Sequence, residues 1–207
     1  MIRLAAALLA TILLTAEIAA AGRYNQMLSI GDKAPAWNDL PGVDGEMHSL
    51  SDLKDKEAVV VVFTCNSCPY AVDYEDRLIE FARKHAGADG KVGLVAINVN
   101  KVPEDRPPKM RERAEQKEFP FPYLYDETQK IAREYGAIFT PEFYVLDKER
   151  KVVYMGAMDD SSNPEKVTKS YLEPAVQAAL KGELPETKET GAVGCRIRYE
   201  RERRRRE

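Results

Sequence analysis

The chain has 207 residues, 44% of them hydrophobic, and a formal net charge of −3. That length suits one compact domain plus extensions, with enough material to bury a sizeable core, and the near-neutral balance carries no nucleic-acid-binding signature. The charge is uneven, however: Arg196 to Glu207 holds seven Arg against three Glu, a local excess of +4 that leaves −7 on the remainder.

At the start, Met1-Ile2-Arg3 is a short positive region, Leu4 to Ala16 is apolar up to Glu17, and Ala19-Ala20-Ala21 offers the small residues of a signal-peptidase site. Thirteen apolar or near-apolar residues fall short of the roughly 20 that a span needs. The expectation is a signal peptide over 1–21, cleaved near Ala21-Gly22, with an uncleaved anchor as the alternative. No membrane span is expected after cleavage. Export to the periplasm or the extracellular space would put the cysteines in an oxidising compartment.

From Gly22 onward strands and helices alternate without internal repeats. Trp37 to Leu40 and Met47 to Leu50 flank Pro41-Gly42-Val43-Asp44-Gly45 and read as two short turn-linked strands. Val59 to Thr64 is a run of β-branched residues that reads as a buried strand. Past Pro69, Ala71, Tyr74, Leu78, Phe81 and Ala82 recur at helical spacing, and Gly87 to Gly90 ends that helix. Val92 to Asn98 is a second buried strand, rich in Val, Ile and Leu as parallel strands tend to be. Lys101 to Pro108 reads as a loop, Lys109 to Glu118 as a charged surface helix, and Phe119-Pro120-Phe121-Pro122 as an extended connector to Tyr123-Leu124-Tyr125. Gln129 to Tyr135 is a short helix stopped by Gly136. Two strands follow, Glu142 to Leu146 and Val152 to Gly156, then a helix from Leu172 to Leu180 with Pro174 in its first turn and Gly182 as cap. The domain is expected over 22–185, with 186–207 as a C-terminal extension whose Arg203-Arg204-Arg205-Arg206 run reads as a solvated tail.

Cys65-Asn66-Ser67-Cys68-Pro69 sits where the first buried strand turns into a helix. A thiol there gains from the unpaired N–H groups of the helix N-terminus, which favour the thiolate, the form that attacks disulfides. The second sulfur, three residues on, can resolve the mixed disulfide. Two plainer readings compete. A zinc site would need two more ligands, and only Cys195, His48 and His85 remain, none at a paired ligand spacing. A structural disulfide closing so small a loop would restrain the unfolded chain little.

Several segments carry a family resemblance between about Ile30 and Lys181. They are Gly31-Asp32-Lys33-Ala34-Pro35, Phe63-Thr64-Cys65-Asn66-Ser67-Cys68-Pro69-Tyr70, Tyr123-Leu124-Tyr125-Asp126 and Tyr135-Gly136-Ala137-Ile138-Phe139-Thr140-Pro141, followed by Gly194-Cys195-Arg196-Ile197. In this order they resemble the thioredoxin-fold, peroxiredoxin-like (AhpC/TSA-type redoxin) proteins with a Cys-Asn-x-Cys-Pro turn. The resemblance implies an α/β thioredoxin-like fold, a central mixed sheet flanked by helices, with an N-terminal strand extension and a central insertion. It also implies that Thr140-Pro141 is a cis-proline turn facing the Cys pair, its backbone free to hold an extended substrate chain.

Departures from the family pattern separate the chemistries. True peroxiredoxins place the peroxidatic Cys in Pro-x-x-x-Thr-x-x-Cys; counting back from Cys65 gives Val62 and Ala58, and from Cys68 gives Cys65 and Val61. Thioredoxin has a Trp before the first Cys and a buried Asp on the preceding strand, where this chain has Thr64 and Val59. Glu142, next to Pro141, is the candidate to take the resolving thiol's proton. The expected function is an exported thiol-disulfide oxidoreductase in which Cys65, the more exposed thiol with the lower pKa, attacks and Cys68 resolves. Its partners would be a disulfide-containing protein or small thiol substrate and an external thiol donor or acceptor of electrons, with no cofactor and no resident metal. A thiol peroxidase is the runner-up. A Cu(I)-binding module is the third reading, although the copper-delivery relatives space their cysteines by three residues and use a downstream His, and this chain has none beyond His85. Cys195 is an auxiliary thiol candidate, its segment expected to dock near the Cys65–Cys68 turn, with an inert small filler as the plain alternative.

Overall fold

The computed structural model describes residues 22–87 and 90–201. The signal peptide expected over 1–21 and the Arg203 to Arg206 run lie outside the described residues. A small antiparallel pair, β1 (Leu40–Pro41) and β2 (Met47–His48), precedes the main sheet. It is shorter than the sequence suggests, because the apolar Leu50 begins a 3-10 turn, Leu50–Leu53, instead of extending the strand.

The main sheet has five strands in the order β5-β4-β3-β7-β8. These are β3 (Ala58–Phe63), β4 (Val92–Asn98), β5 (Tyr123–Tyr125), β7 (Glu142–Leu146) and β8 (Val152–Gly156). β3 pairs parallel with β4, and β4 with β5, while β3 with β7 and β7 with β8 run antiparallel. The sheet is therefore mixed, with β3 at its centre. All six β3 residues are fully buried, and alternate ones enter opposite cores. Val60 and Val62 join Tyr74, Leu78 and Phe81 of α1 (Pro69–His85) and Leu172 and Val176 of α4 (Leu172–Lys181). Val59, Val61 and Phe63 join Trp37, Leu50 and the Ile131 and Tyr135 side chains of α3 (Lys130–Tyr135). An unbroken apolar run fits this strand because helices cover both faces.

Proline sets where helices start. Pro69 opens α1 and Pro107 opens α2 (Pro107–Lys117), each at a position whose N–H would have no helical partner. The stretch before α2 read as loop contains a 3-10 turn, Pro103–Asp105. Gly136 and Gly182 close α3 and α4 in the left-handed region at φ 68° and 72°, where a side chain would be strained.

Two further short strands, β6 (Phe139–Thr140) and β9 (Cys195–Arg196), pair antiparallel with Phe139 opposite Arg196 and Thr140 opposite Cys195. Residues after 185 thus return across the domain. Met155 N–H bonds the Lys188 carbonyl and Thr190 N–H the Met155 carbonyl, each at 3.1 Å. Further on, Ile197 N–H bonds the Ile138 carbonyl at 2.8 Å.

Leu146 is fully buried on β7 opposite Val59 of β3, in the same apolar cluster as Trp37. Leu146→Ala should cost about 2–5 kcal/mol of unfolding free energy, read by urea denaturation. A loss below about 1 kcal/mol would mean that this face of the sheet is not close-packed.

Candidate active site

The turn from β3 into α1 puts two sulfurs below the surface. Cys68 is the N-cap residue of α1, and its sulfur accepts the Ala71 N–H at 3.4 Å. The Cys195 N–H, brought in by β9, donates to the same sulfur at 3.4 Å. When protonated, Cys68 can donate to the Thr140 carbonyl at 3.0 Å. Cys65 Sγ lies 3.3 Å from Thr140 Oγ1 and 3.8 Å from Ser67 Oγ. Cys65 and Cys68 pack together with Ala71, and the Cys195 side chain packs against them. All three thiols are free.

The two N–H donors favour negative charge on Cys68. The neighbouring Cys65 thiol lowers the Cys68 pKa from 9.0 to about 5 against the cost of burial, helped by the Cys195 side chain and the two backbone N–H groups. Cys65 moves the other way, because of the neighbouring Cys68, because it is buried, and because of the Asp105 carboxylate charge. Cys65 is the more exposed of the two, as expected, but only by 3% against 1%, whereas the expected order of the pKa values is reversed because the helix N-terminus acts on Cys68.

Thr140-Pro141 does face the pair, and its peptide bond is cis. The expectation of a free backbone there does not hold, since Thr140 is already paired with Cys195 across β6 and β9. Gly194 is what lets β9 come so close: a Cβ on it would stand 2.1 Å from the Thr140 carbonyl oxygen.

Glu142 is buried and structural. Its carboxylate accepts the Ile138 and Phe139 N–H groups at 2.8 and 2.9 Å and the Tyr144 hydroxyl at 2.9 Å, fixing the turn that carries Thr140. Burial raises its pKa although these three donors oppose the shift. A carboxylate that approaches the pair, through Ser67, is Asp105, which is fully buried in the 3-10 turn before α2. It accepts the Ser67 N–H at 2.9 Å and the Ser67 hydroxyl at 2.6 Å. Asn66 donates to the Glu104 and Lys109 carbonyls and accepts the Tyr123 hydroxyl, tying the turn to the start of α2 and to β5. Sequence reading missed Asp105, because an Asp among Pro103, Glu104 and Arg106 shows no inward-facing period.

Among the described residues no group of three or more His, Cys, Asp and Glu is arranged to hold a metal ion. His48 and His85 pair with Asp44 and Glu173. A groove of about 670 Å³ beside Trp37, Arg106 and Tyr125 has none of the cysteines in its lining.

The model of the AhpC/TSA family matches residues 30–155. The chain belongs to the AhpC/TSA family. Its fold is thioredoxin-like. This AhpC/TSA protein is similar to an uncharacterized conserved protein from Geobacillus kaustophilus, whose crystal structure is 37% identical with a TM-score of 0.77 over 85% of this chain and 95% of its own. It is also similar to a hypothetical protein from Sinorhizobium meliloti 1021, 34% identical with a TM-score of 0.78 over 85% and 97%. A curated relative from Mycobacterium tuberculosis H37Rv, named "Putative peroxiredoxin", is 27% identical over 61% of this chain and 83% of its own.

The pKa assignment has a direct check. The ultraviolet thiolate absorbance of the reduced protein should rise through a midpoint near pH 5, and Cys65→Ala should move that midpoint upward by removing the largest cause of the depression. A thiolate that survives in Cys68→Ala at neutral pH would contradict the assignment.

Proposed function

We propose that this AhpC/TSA protein is an exported thiol-disulfide oxidoreductase working through Cys65 and Cys68. The observation that carries the reading is the Cys68 sulfur at the head of α1, bonded by the Ala71 and Cys195 N–H groups with a second thiol, Cys65, packed against it. Family membership supports redox chemistry in general. The apolar stretch and small-residue site within 1–21 support export to the periplasm or beyond the cell.

In the proposed reaction the Cys68 thiolate attacks one sulfur of a substrate disulfide, and the other sulfur leaves as a thiolate. Cys65 then gives up its proton and attacks Cys68 Sγ, releasing the second substrate thiol. The pair ends as a Cys65–Cys68 disulfide and the substrate has gained two electrons. Ser67 Oγ, between Cys65 and the Asp105 carboxylate, offers the proton a route. An external thiol restores the pair, and the reverse direction would oxidise a dithiol. Substrates are disulfide-containing proteins or small thiol compounds.

Brief exposure to glutathione disulfide with rapid acid quenching tests the order of events. In Cys65→Ala the first adduct should form on Cys68, whereas Cys68→Ala should gain none on Cys65 at neutral pH. Equal early adducts in both variants would sink the assignment of Cys68 as the attacking sulfur.

A thiol peroxidase remains the second reading, favoured by the same acidic Cys68 ahead of Pro69 and by the name of the Mycobacterium relative. With Cys65 and Val61 where the peroxiredoxin pattern has Thr and Pro, hydrogen peroxide should react with Cys68 no more than about tenfold faster than with an ordinary thiolate. Stopped-flow rates several orders of magnitude higher would promote the peroxidase reading.

A further inference from the structure

We propose that Cys195 is the third working sulfur of this site: it takes Cys68 over from Cys65 in the oxidised protein and carries the disulfide to the surface, where an external thiol meets it. The proposal rests on the exchange chemistry of the Cys65–Cys68 pair. Cys68 packs against Cys65, takes the Cys195 N–H on its sulfur at 3.4 Å, and has the Cys195 side chain packed against the same cluster. Cys65 and Cys68 are buried, while Cys195 is partly exposed. When the pair is oxidised, an external thiol approaching from solvent therefore meets Cys195 first.

The contact is built into the fold. Upstream of β9 the chain is fixed by the Lys188 and Thr190 bonds to Met155. Downstream, Gln129, buried between the segments, donates to the Val99 and Arg198 carbonyls at 2.8 and 3.0 Å and accepts the Glu200 N–H at 2.8 Å. Arg198 N–H bonds Asn100 Oδ1 at 2.9 Å, and Tyr199 OH bonds the Ala137 carbonyl at 2.7 Å. Between these anchors the Thr140–Cys195 pairing sets the third sulfur beside Cys68, so exchange requires no large swing.

In the first step the Cys195 thiolate attacks Cys68 Sγ of the Cys65–Cys68 disulfide. The Cys68–Cys195 bond forms as the Cys65–Cys68 bond breaks, and Cys65 leaves with the electron pair and takes up the proton that Cys195 lost. No net oxidation occurs. In the second step an external thiolate attacks Cys195 Sγ, and Cys68 departs as a thiolate into its place at the head of α1. A second external thiol then frees Cys195, so that the donor ends as a disulfide and the protein has gained two electrons. A sulfur of low pKa is the better leaving group, which suits Cys68 to the second step. In the reduced protein, burial and the neighbouring Cys68 charge hold the Cys195 pKa up at about 11. Once Cys68 is in a disulfide that charge is gone, so Cys195 ionises more readily when it has a disulfide to attack.

The test treats the reduced full-length protein and its Cys65→Ser and Gly194→Val variants with glutathione disulfide, quenches in acid at intervals, caps free thiols with N-ethylmaleimide and maps linkages by mass spectrometry. Far-ultraviolet circular dichroism checks that each variant is folded. In the wild type, Cys65–Cys68 and Cys68–Cys195 linked peptides should both accumulate. In Cys65→Ser the early glutathione adduct on Cys68 should give way to Cys68–Cys195. Gly194→Val, which forces β9 off the Thr140 carbonyl, should lower the ratio of Cys68–Cys195 to Cys65–Cys68 peptide by about tenfold or more, as expected when a docked thiol loses its high local concentration. A lasting Cys68 adduct in Cys65→Ser with Cys195 capped overturns the proposal. So does a wild type that forms only Cys65–Cys68 at every time point, a result that leaves the two-cysteine reading standing. No disulfide among the three cysteines in any protein overturns both.

Discussion

A sulfur fills the N-cap position of α1, where Ser, Thr, Asp or Asn would ordinarily supply an oxygen. Neutral sulfur is a weak acceptor and thiolate a strong one, so the cap is worth most when Cys68 is charged. Other features of the turn agree with that preference. Pro69 brings no N–H of its own, the Cys195 N–H adds a second donor from across the site, and Cys65 keeps its proton beside the Asp105 carboxylate. One negative charge is favoured on the pair, and its place is set by backbone geometry more than by any basic side chain.

That charge sits under a roof made by the protein itself. The short edge at Phe139–Thr140 has the form that commonly accepts an extended chain by strand addition, yet it is filled by residues 195 and 196. Arg196 lies over the Phe139 ring, with its guanidinium carbon 5.5 Å from the ring centroid. An outside polypeptide that paired with β6 would have to displace this strand. A small thiol compound would need only to reach Cys195. Chain pairing and thiol chemistry at the site thus compete for one short edge, and the segment on that edge carries a sulfur of its own.

Much of the scaffold was legible in the residues. β4, β7 and β8 fall where runs of Val, Ile, Leu and Tyr place them, because buried strands announce themselves by composition. Gly136 and Gly182 mark the ends of α3 and α4 as their backbone freedom requires. The position of Pro69 at the first helical residue already implied that Cys68, one step earlier, is the cap; giving the lower pKa to Cys65 overlooked that count. Other parts left no local trace. β6 and β9 are two residues each, too short for any period, and their pairing joins positions some 55 residues apart. Asp105 and Gln129 are polar residues in polar stretches whose inward orientation comes from tertiary contacts alone. Glu142 had the more suggestive address, beside Pro141, but its carboxylate is spent on holding that turn.

The order in which the chain is made has a consequence at β9. The main sheet and α1 are assembled from residues 58–156 and 69–85, so the thiol turn can form before residue 195 has been synthesised. Throughout that interval Cys68 has the helix N-terminus but neither the Cys195 N–H nor the covering strand. A nascent chain would therefore pass through a stage in which its two thiols lie open to whatever catalyst of disulfide formation it meets, and the arrival of β9 would bring that stage to a close.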